Sequence, residues 1–254
     1  MKLIDSHCHL DFDVFAQDIE QVIERATENN VNGFVIPSVN KANWTSVQAL
    51  CEQYPQIKCA VGIHPWFLNK SAFADLSDID AVMASKHVVA IGECGLDAGI
   101  EDMPFQQQVF MRQIEIANQF DKPLIVHHRK THHLILQCFK QIKPNVGGVI
   151  HGFAGSTNDA KKYIELGFKL GVGGTITYER ANKTKQAIKQ VGLEHLLLET
   201  DSPDMPLFNQ QGKRNEPKNV AIIAQQLSEL LDCEVERVAE VTSVNAQQLF
   251  SFTV

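Results

Sequence analysis

Val88-Val89-Ala90-Ile91-Gly92-Glu93 is a short run, apolar on both faces of an extended chain, that ends on a carboxylate. A strand apolar on both faces is covered on both faces, as in parallel sheets flanked by helices. Seven further runs repeat the form, at Lys2–Asp5, Gly33–Pro37, Lys58–Ile63, Pro123–His127, Gly147–His151, Phe168–Val172 and His195–Glu199. Amphipathic stretches separate them. Val14, Phe15, Ile19, Val22, Ile23 and Ala26 fall on one helical stripe, as do Phe105, Val109, Phe110, Ile114 and Ala117, and both stripes are expected to face the core. After the last run come a polar stretch with Pro and Gly from Ser202 to Asn219, then helical patterns through Leu231 and from Glu234 to Phe250. No linker divides the chain. Eight βα units with right-handed crossovers close most simply into a single α/β domain over residues 1–254, a (β/α)8 TIM barrel with its reactive groups at the C-terminal ends of the strands. An open doubly wound sheet is the rival fold.

A chain of 254 residues, 44% hydrophobic and 21% charged, is long enough to bury a large core and is neither disordered nor a small disulfide module. Its 23 basic and 30 acidic side chains give a net charge of −7, which excludes a protein that coats nucleic acid by charge alone. Phosphate binding, if present, is local; Lys183, Lys185 and Lys189, or Arg214 with Lys213 and Lys218, are the basic clusters to consider. The six cysteines are scattered without a Cys-x-x-Cys pair, which fits a reducing cytoplasm. The first residues do not read as a signal peptide, and no apolar run reaches the roughly 18 residues of a membrane span. No obligate protein partner is evident.

Chemistry-bearing residues collect where the runs end. The first leads into Asp5-Ser6-His7-Cys8-His9, where residues two apart share a face, so His7 and His9 offer imidazoles to one metal while Cys8 points away. With 10 histidines in the chain, chance supplies about 0.4 such pairs, so the pair alone decides little. Position decides more. The fourth run ends at Glu93, the fifth at His127-His128, the sixth at His151, and the eighth leads into Glu199-Thr200-Asp201. Two carboxylates and four imidazoles are thus expected on one rim. Such a set suits one or two divalent ions, Zn, Mn or Mg, with imidazole favouring the first two. Two ions about 3.5–4 Å apart make water a better nucleophile and stabilise charge on a phosphoryl or acyl oxygen. Parity alone leaves open which of His127 and His128 faces inward.

The chain resembles the TatD-like metal-dependent hydrolases and deoxyribonucleases of the amidohydrolase superfamily. The resemblance runs nearly end to end, through Asp5-Ser6-His7-Cys8-His9-Leu10, Gly62-Ile63-His64-Pro65, Gly92-Glu93-Cys94-Gly95-Leu96-Asp97, Pro123-Leu124-Ile125-Val126-His127-His128-Arg129, His151-Gly152-Phe153-Ala154-Gly155, Leu198-Glu199-Thr200-Asp201-Ser202-Pro203 and Arg214-Asn215-Glu216-Pro217. It implies that His7, His9, Glu93, His127, His151 and Asp201 are the metal ligands, with Glu93 bridging, and it aligns His127 rather than His128. His128 stands where the family often has a small residue, and Glu101-Asp102-Met103 replaces the aromatic residues that often follow Gly-Leu-Asp.

Around those ligands, His64 and Arg129 are candidates to bind substrate phosphate, and His132 matches a histidine seen in part of the family. Turn hydrogen bonding for His64 and an ion pair for Arg129 are the alternatives. Asp97 and the Arg214-Asn215-Glu216-Pro217 stretch are read as ordering loops, and Cys8 and Cys94 as packing residues. The resemblance implies hydrolysis of phosphoester bonds in DNA by a metal-activated water, with Asp201 as general base beside Glu93. Hydrolysis of a carboxylic ester or amide, such as an aminoacyl-tRNA ester, is the nearer alternative. A non-catalytic metal-binding protein is the farther one.

Overall fold

The computed structural model describes residues 2–252. Met1, Thr253 and Val254, which belong to the 1–254 domain range expected above, lie outside the described residues. Eight parallel strands follow one another in chain order with helices between them, which is the (β/α)8 barrel class. Contacts group the chain into two compact units, residues 1–36 with 151–254, and residues 37–150.

The first unit holds β1 (Leu3–Asp5), α1 (Ile19–Glu28), nearly all of β2 (Val31–Pro37), α7 (Thr157–Glu165), β7 (Phe168–Val172), α8 (Asn182–Val191), β8 (Leu196–Leu198), α9 (Val220–Leu231) and α10 (Val235–Phe250). Leu3 pairs with Val31 and Asp5 with Phe34 along β1 and β2, while Leu170 pairs with Leu196 and Val172 with Leu198 along β7 and β8. Buried Val22, Ile23 and Ala26 of α1 and Ile223, Ala224 and Leu227 of α9 recur at helical spacing and close the core over these strands. Ser156 begins α7 with a reciprocal cap, its hydroxyl accepting from Asp159 N–H while the Asp159 carboxylate accepts from Ser156 N–H.

The second unit holds α2 (Trp44–Gln53), β3 (Ile57–Val61), α3 (Ala72–Ser77), α4 (Ile79–Met83), β4 (Val88–Asp97), α5 (Met103–Gln119), β5 (Leu124–Arg129), α6 (His132–Gln141) and β6 (Gly148–Ile150). All ten residues of β4 are buried, as its sequence demands. Val109, Phe110, Ile114 and Ala117 of α5 are buried, with Phe105 only partly so.

All eight expected strands are present. Two extend further at their C-terminal ends than the sequence suggests: β4 continues past Glu93 to Asp97, and β5 past His127 to Arg129; β2 starts two residues early, at Val31. The α1 stripe is overdrawn at its start, because residues 13–15 form a separate short 3-10 turn and Val14 is 50% exposed. The short helices α3 and α4 carry too few turns to show a period. Among the described residues no helix is long and apolar enough to cross a membrane.

Candidate metal centre

In the first unit the chain bends at Ser6 and His7 after β1 but stays bonded to its neighbours. Ser6 N–H donates to Leu198 O at 2.9 Å, Cys8 N–H to Val35 O at 3.2 Å and His9 N–H to Ser202 O at 2.7 Å. His7 and His9 therefore project together although both lie beyond the strand proper, and the buried Cys8 thiol turns back toward Val35 O. Their Nε2 atoms are 3.3 Å apart, and Asp201 Oδ1 lies 3.4 Å from His7 Nε2 and 3.5 Å from His9 Nε2. An ion held tetrahedrally at about 2.0–2.1 Å sets neighbouring donors about 3.3–3.4 Å apart, so the donor set fits a divalent cation. The His151 ring stacks on His7 with centroids 4.0 Å apart.

The backbone aims these groups. Asp201 sits at φ 56°, a left-handed position that Asp tolerates, and its N–H donates to His7 O at 2.8 Å. Burial raises its pKa, but the His9 hydrogen bond and the nearby His151 and His7 rings outweigh burial and hold it below the ordinary carboxylate value. Asp5, fully buried, accepts from His7 N–H at 3.3 Å, Thr200 N–H at 3.0 Å and the Thr200 hydroxyl at 2.6 Å. Burial pushes its pKa well up despite those donors. Asn215 donates its amide to Thr200 O, Asp204 O and Met205 O at 3.0, 2.9 and 3.2 Å, which orders the loop after β8 as its sequence suggests.

Glu199, 1% exposed, accepts from Gly152 N–H through Oε1, which lies 3.7 Å from His151 Nδ1. Gly171 makes room for it: a Cβ there would overlap the Glu199 carboxylate.

The second unit carries Glu93, His127 and His64. Gly95 pairs with His127 and Asp97 with Arg129 along β4 and β5. Glu93 Oε1 lies 3.2 Å from His127 Nδ1 and 3.5 Å from His64 Nε2. His127 presents its other nitrogen, Nε2, to Asp97 Oδ2 at 3.0 Å, a carboxylate–imidazole pairing that fixes the ring and leaves Nδ1 toward Glu93. Asp97 is fully buried and also accepts from Trp66 Nε1–H at 2.7 Å and Gly99 N–H at 2.6 Å. Burial raises its pKa, but these hydrogen bonds, His127 first, bring it well below the usual value. His64 Nδ1 accepts from Trp66 N–H at 3.0 Å, so a neutral His64 carries its proton on Nε2.

The structure thus brings together His7, His9, His151 and Asp201 in one unit, and His64, Glu93 and His127 in the other. Arg129 is 58% exposed, with Nη1 3.7 Å from Asp97 Oδ1, so its ionic neighbour is Asp97 on β4. His132 opens α6 with its ring 4.2 Å from that of His128. Arg214 is held by Asp18 and Glu216, and Lys218 lies 3.5 Å from Glu216, so these two members of that basic cluster already face carboxylates. The sequence reading assigns no role to Asp5, Glu199 or Trp66, and treats Asp97 only as a loop anchor. For the carboxylates a signal existed: an acid next to an apolar run is buried at the strand end and needs donors.

The chain matches the family described as TatD related DNase over residues 4–251. An uncharacterized metal-dependent hydrolase of Escherichia coli K12, YjjV, is 38% identical over 254 residues, covering 98% of each chain. The 3'-5' ssDNA/RNA exonuclease TatD of Edwardsiella piscicida is 31% identical over 257 residues, covering 98% of this chain and 99% of its own. The crystal structure of the E. coli TatD homologue YjjV superposes with a TM-score of 0.95, covering 99% of this chain and 98% of that one. The chain therefore belongs to the TatD related DNase family of metal-dependent hydrolases.

Proposed function

We propose that the protein hydrolyses phosphodiester bonds in DNA, with His7, His9, Glu93, His127, His151 and Asp201 as the ligands of one or two divalent ions. The observation that carries the reading is the division of labour among the histidines. His7 and His9 crowd their Nε2 atoms around Asp201 at ligand spacing, whereas His64 has its Nδ1 taken by Trp66 N–H and, when neutral, carries its proton on Nε2, 3.5 Å from Glu93 Oε1. The family match and the relative named as a single-stranded DNA and RNA exonuclease support the same choice.

When bound, the cations supply Lewis-acid charge that lowers the pKa of water and balances charge on phosphoryl oxygens. Asp201 holds the attacking water and accepts its proton as oxygen joins phosphorus and the ester oxygen departs. His64 donates from Nε2 to a non-bridging phosphate oxygen, and exposed Arg129 binds phosphate through its planar fork. Glu93, one of the residues that would hold the cations, is held in place by its N–H donating to Ser38 O at 2.8 Å.

The test is hydrolysis of single-stranded DNA, an aryl phosphodiester and an aryl carboxylic ester by protein loaded in turn with Mg, Mn and Zn. Cleavage of both phosphodiesters, abolished by chelation, is expected. Turnover of the carboxylic ester alone would replace this reading with the acyl one.

A further inference from the structure

Residues 65–67 form a single 3-10 turn after β3 that shows two large aromatic side chains to solvent, Trp66 at 58% exposure and Phe67 at 42%. Isolated exposed aromatics are common and mean little. These two stand against the candidate catalytic groups. The Trp66 and Phe67 ring centroids lie 5.9 and 6.1 Å from that of His64, and the His64 ring is 4.3 Å from His127. Trp66 is also fixed twice at its buried side. Its backbone N–H holds His64 Nδ1 at 3.0 Å, and its indole N–H is given to Asp97 Oδ2 at 2.7 Å, the same oxygen that meets His127. The ring is therefore rigid at one edge while most of its surface stays in water. Arg129, 58% exposed, reaches the other oxygen of Asp97, so a cationic fork and an indole flank one carboxylate.

A rigid, half-bare indole beside a guanidinium has the chemistry that receives an unstacked nucleobase and its phosphate. We propose that Trp66, with Phe67 at its side and Arg129 for the neighbouring phosphate, is a nucleobase-stacking subsite next to the scissile bond. The proposal rests on the phosphodiester reading above and adds to it the contact that selects an unpaired base. A base inside a duplex has both faces occupied and cannot stack there.

Trp66 also braces Asp97, so a plain deletion would confuse two roles. Trp66→Phe and Trp66→Ala both lose the indole N–H, but only Trp66→Ala loses the aromatic face. Steady-state kinetics on a short single-stranded oligonucleotide, and on one abasic at the nucleotides flanking the cleaved bond, separate the two. Stacking predicts that Trp66→Ala raises KM roughly 10- to 100-fold on the base-bearing strand and leaves KM on the abasic strand unchanged, with Trp66→Phe restoring most of the loss. Equal falls in kcat for both variants on both substrates, with no change in KM, would overturn it and leave the indole as a brace for Asp97.

Fluorescence gives a readout without turnover. The chain has two tryptophans, and the other, Trp44, is 3% exposed. A phosphorothioate-linked oligothymidylate, cleaved slowly, is expected to quench the metal-loaded wild type and not Trp66→Phe, while the abasic phosphorothioate strand quenches neither. Absence of quenching in the wild type overturns the subsite even if Trp66→Ala fails to fold. Cleavage without quenching removes this inference and keeps the phosphodiester reading. Quenching without cleavage of any strand keeps the subsite and removes that reading.

Discussion

The two units aim their imidazoles by different means. In the first, Asp5 grips main chain: its carboxylate takes the N–H groups of His7 and Thr200, and through them the segments that carry His7, His9 and Asp201. In the second, Asp97 grips the side chain itself, at His127 Nε2. Both are buried carboxylates saturated with donors. The main-chain route ties ligand geometry to the stability of the fold, whereas the ring route leaves the two separable. Replacing Asp5 should therefore be read mainly in stability, and replacing Asp97 mainly in chemistry.

The largest expected effect lies where the first unit's backbone delivers the proposed base. Asp201→Asn keeps size and an oxygen donor but loses basicity, and should lower kcat by about 10²–10⁴ with the fold intact. Metal content measured in the same sample distinguishes loss of the base from loss of a ligand; full activity would remove Asp201 from the mechanism. Next comes the ring route. Asp97→Asn should cost roughly 10- to 100-fold in metal affinity or activity, with a smaller loss of melting temperature after chelation than Asp5→Ala. Unfolding of that variant would break the contrast drawn above.

Asp5→Ala sharpens it from the other side. Leaving the Thr200 and His7 donors without their acceptor in a buried site should destabilise the protein by about 1–3 kcal/mol, measured by denaturant unfolding of chelated protein. Unchanged stability would show that Asp5 is not the tie between β1 and β8.

The smallest effect is expected in acid. Asp18 is held down to about 2, first by the Arg214 hydrogen bond and then by Arg25; burial raises Glu216, but the same two arginines bring it below its ordinary value. Carboxylates with depressed folded pKa values stabilise above their unfolded pKa, and that stabilisation fades as pH falls from about 4 to about 2. Arg214→Ala should flatten the fall in melting temperature across this window. The change will be modest, since Asp18 and Arg25 are each 33% exposed.

The sequence discloses the strands almost completely because each is a double-faced apolar run between helices of clear period, and its exits name the imidazoles and carboxylates that the structure gathers in each unit. What it hides is of two kinds. Hydrogen bonds such as that from Trp66 to Asp97 join residues 31 apart in the chain, and no local period encodes them. Strand ends are hidden too: Gly95, just past the expected end at Glu93, looks like a breaker, yet β4 runs on through it to bring Asp97 beside Arg129. Parity left the choice within His127-His128 open. In the structure the first meets Glu93 and the second packs on His132.

The empty side of Gly171 has a consequence for anyone reading substitution tolerance from a saturation library. A methyl group there would occupy the place of the Glu199 carboxylate, and that carboxylate sits beside His151. Gly171 lies in β7 among apolar neighbours, and its intolerance would be scored as a folding defect of an ordinary core strand. Its backbone needs no unusual φ, so the demand comes wholly from the acid opposite. A library built on Glu199→Gly should make alanine at position 171 acceptable again, which marks the glycine as part of the site although it contributes no functional atom.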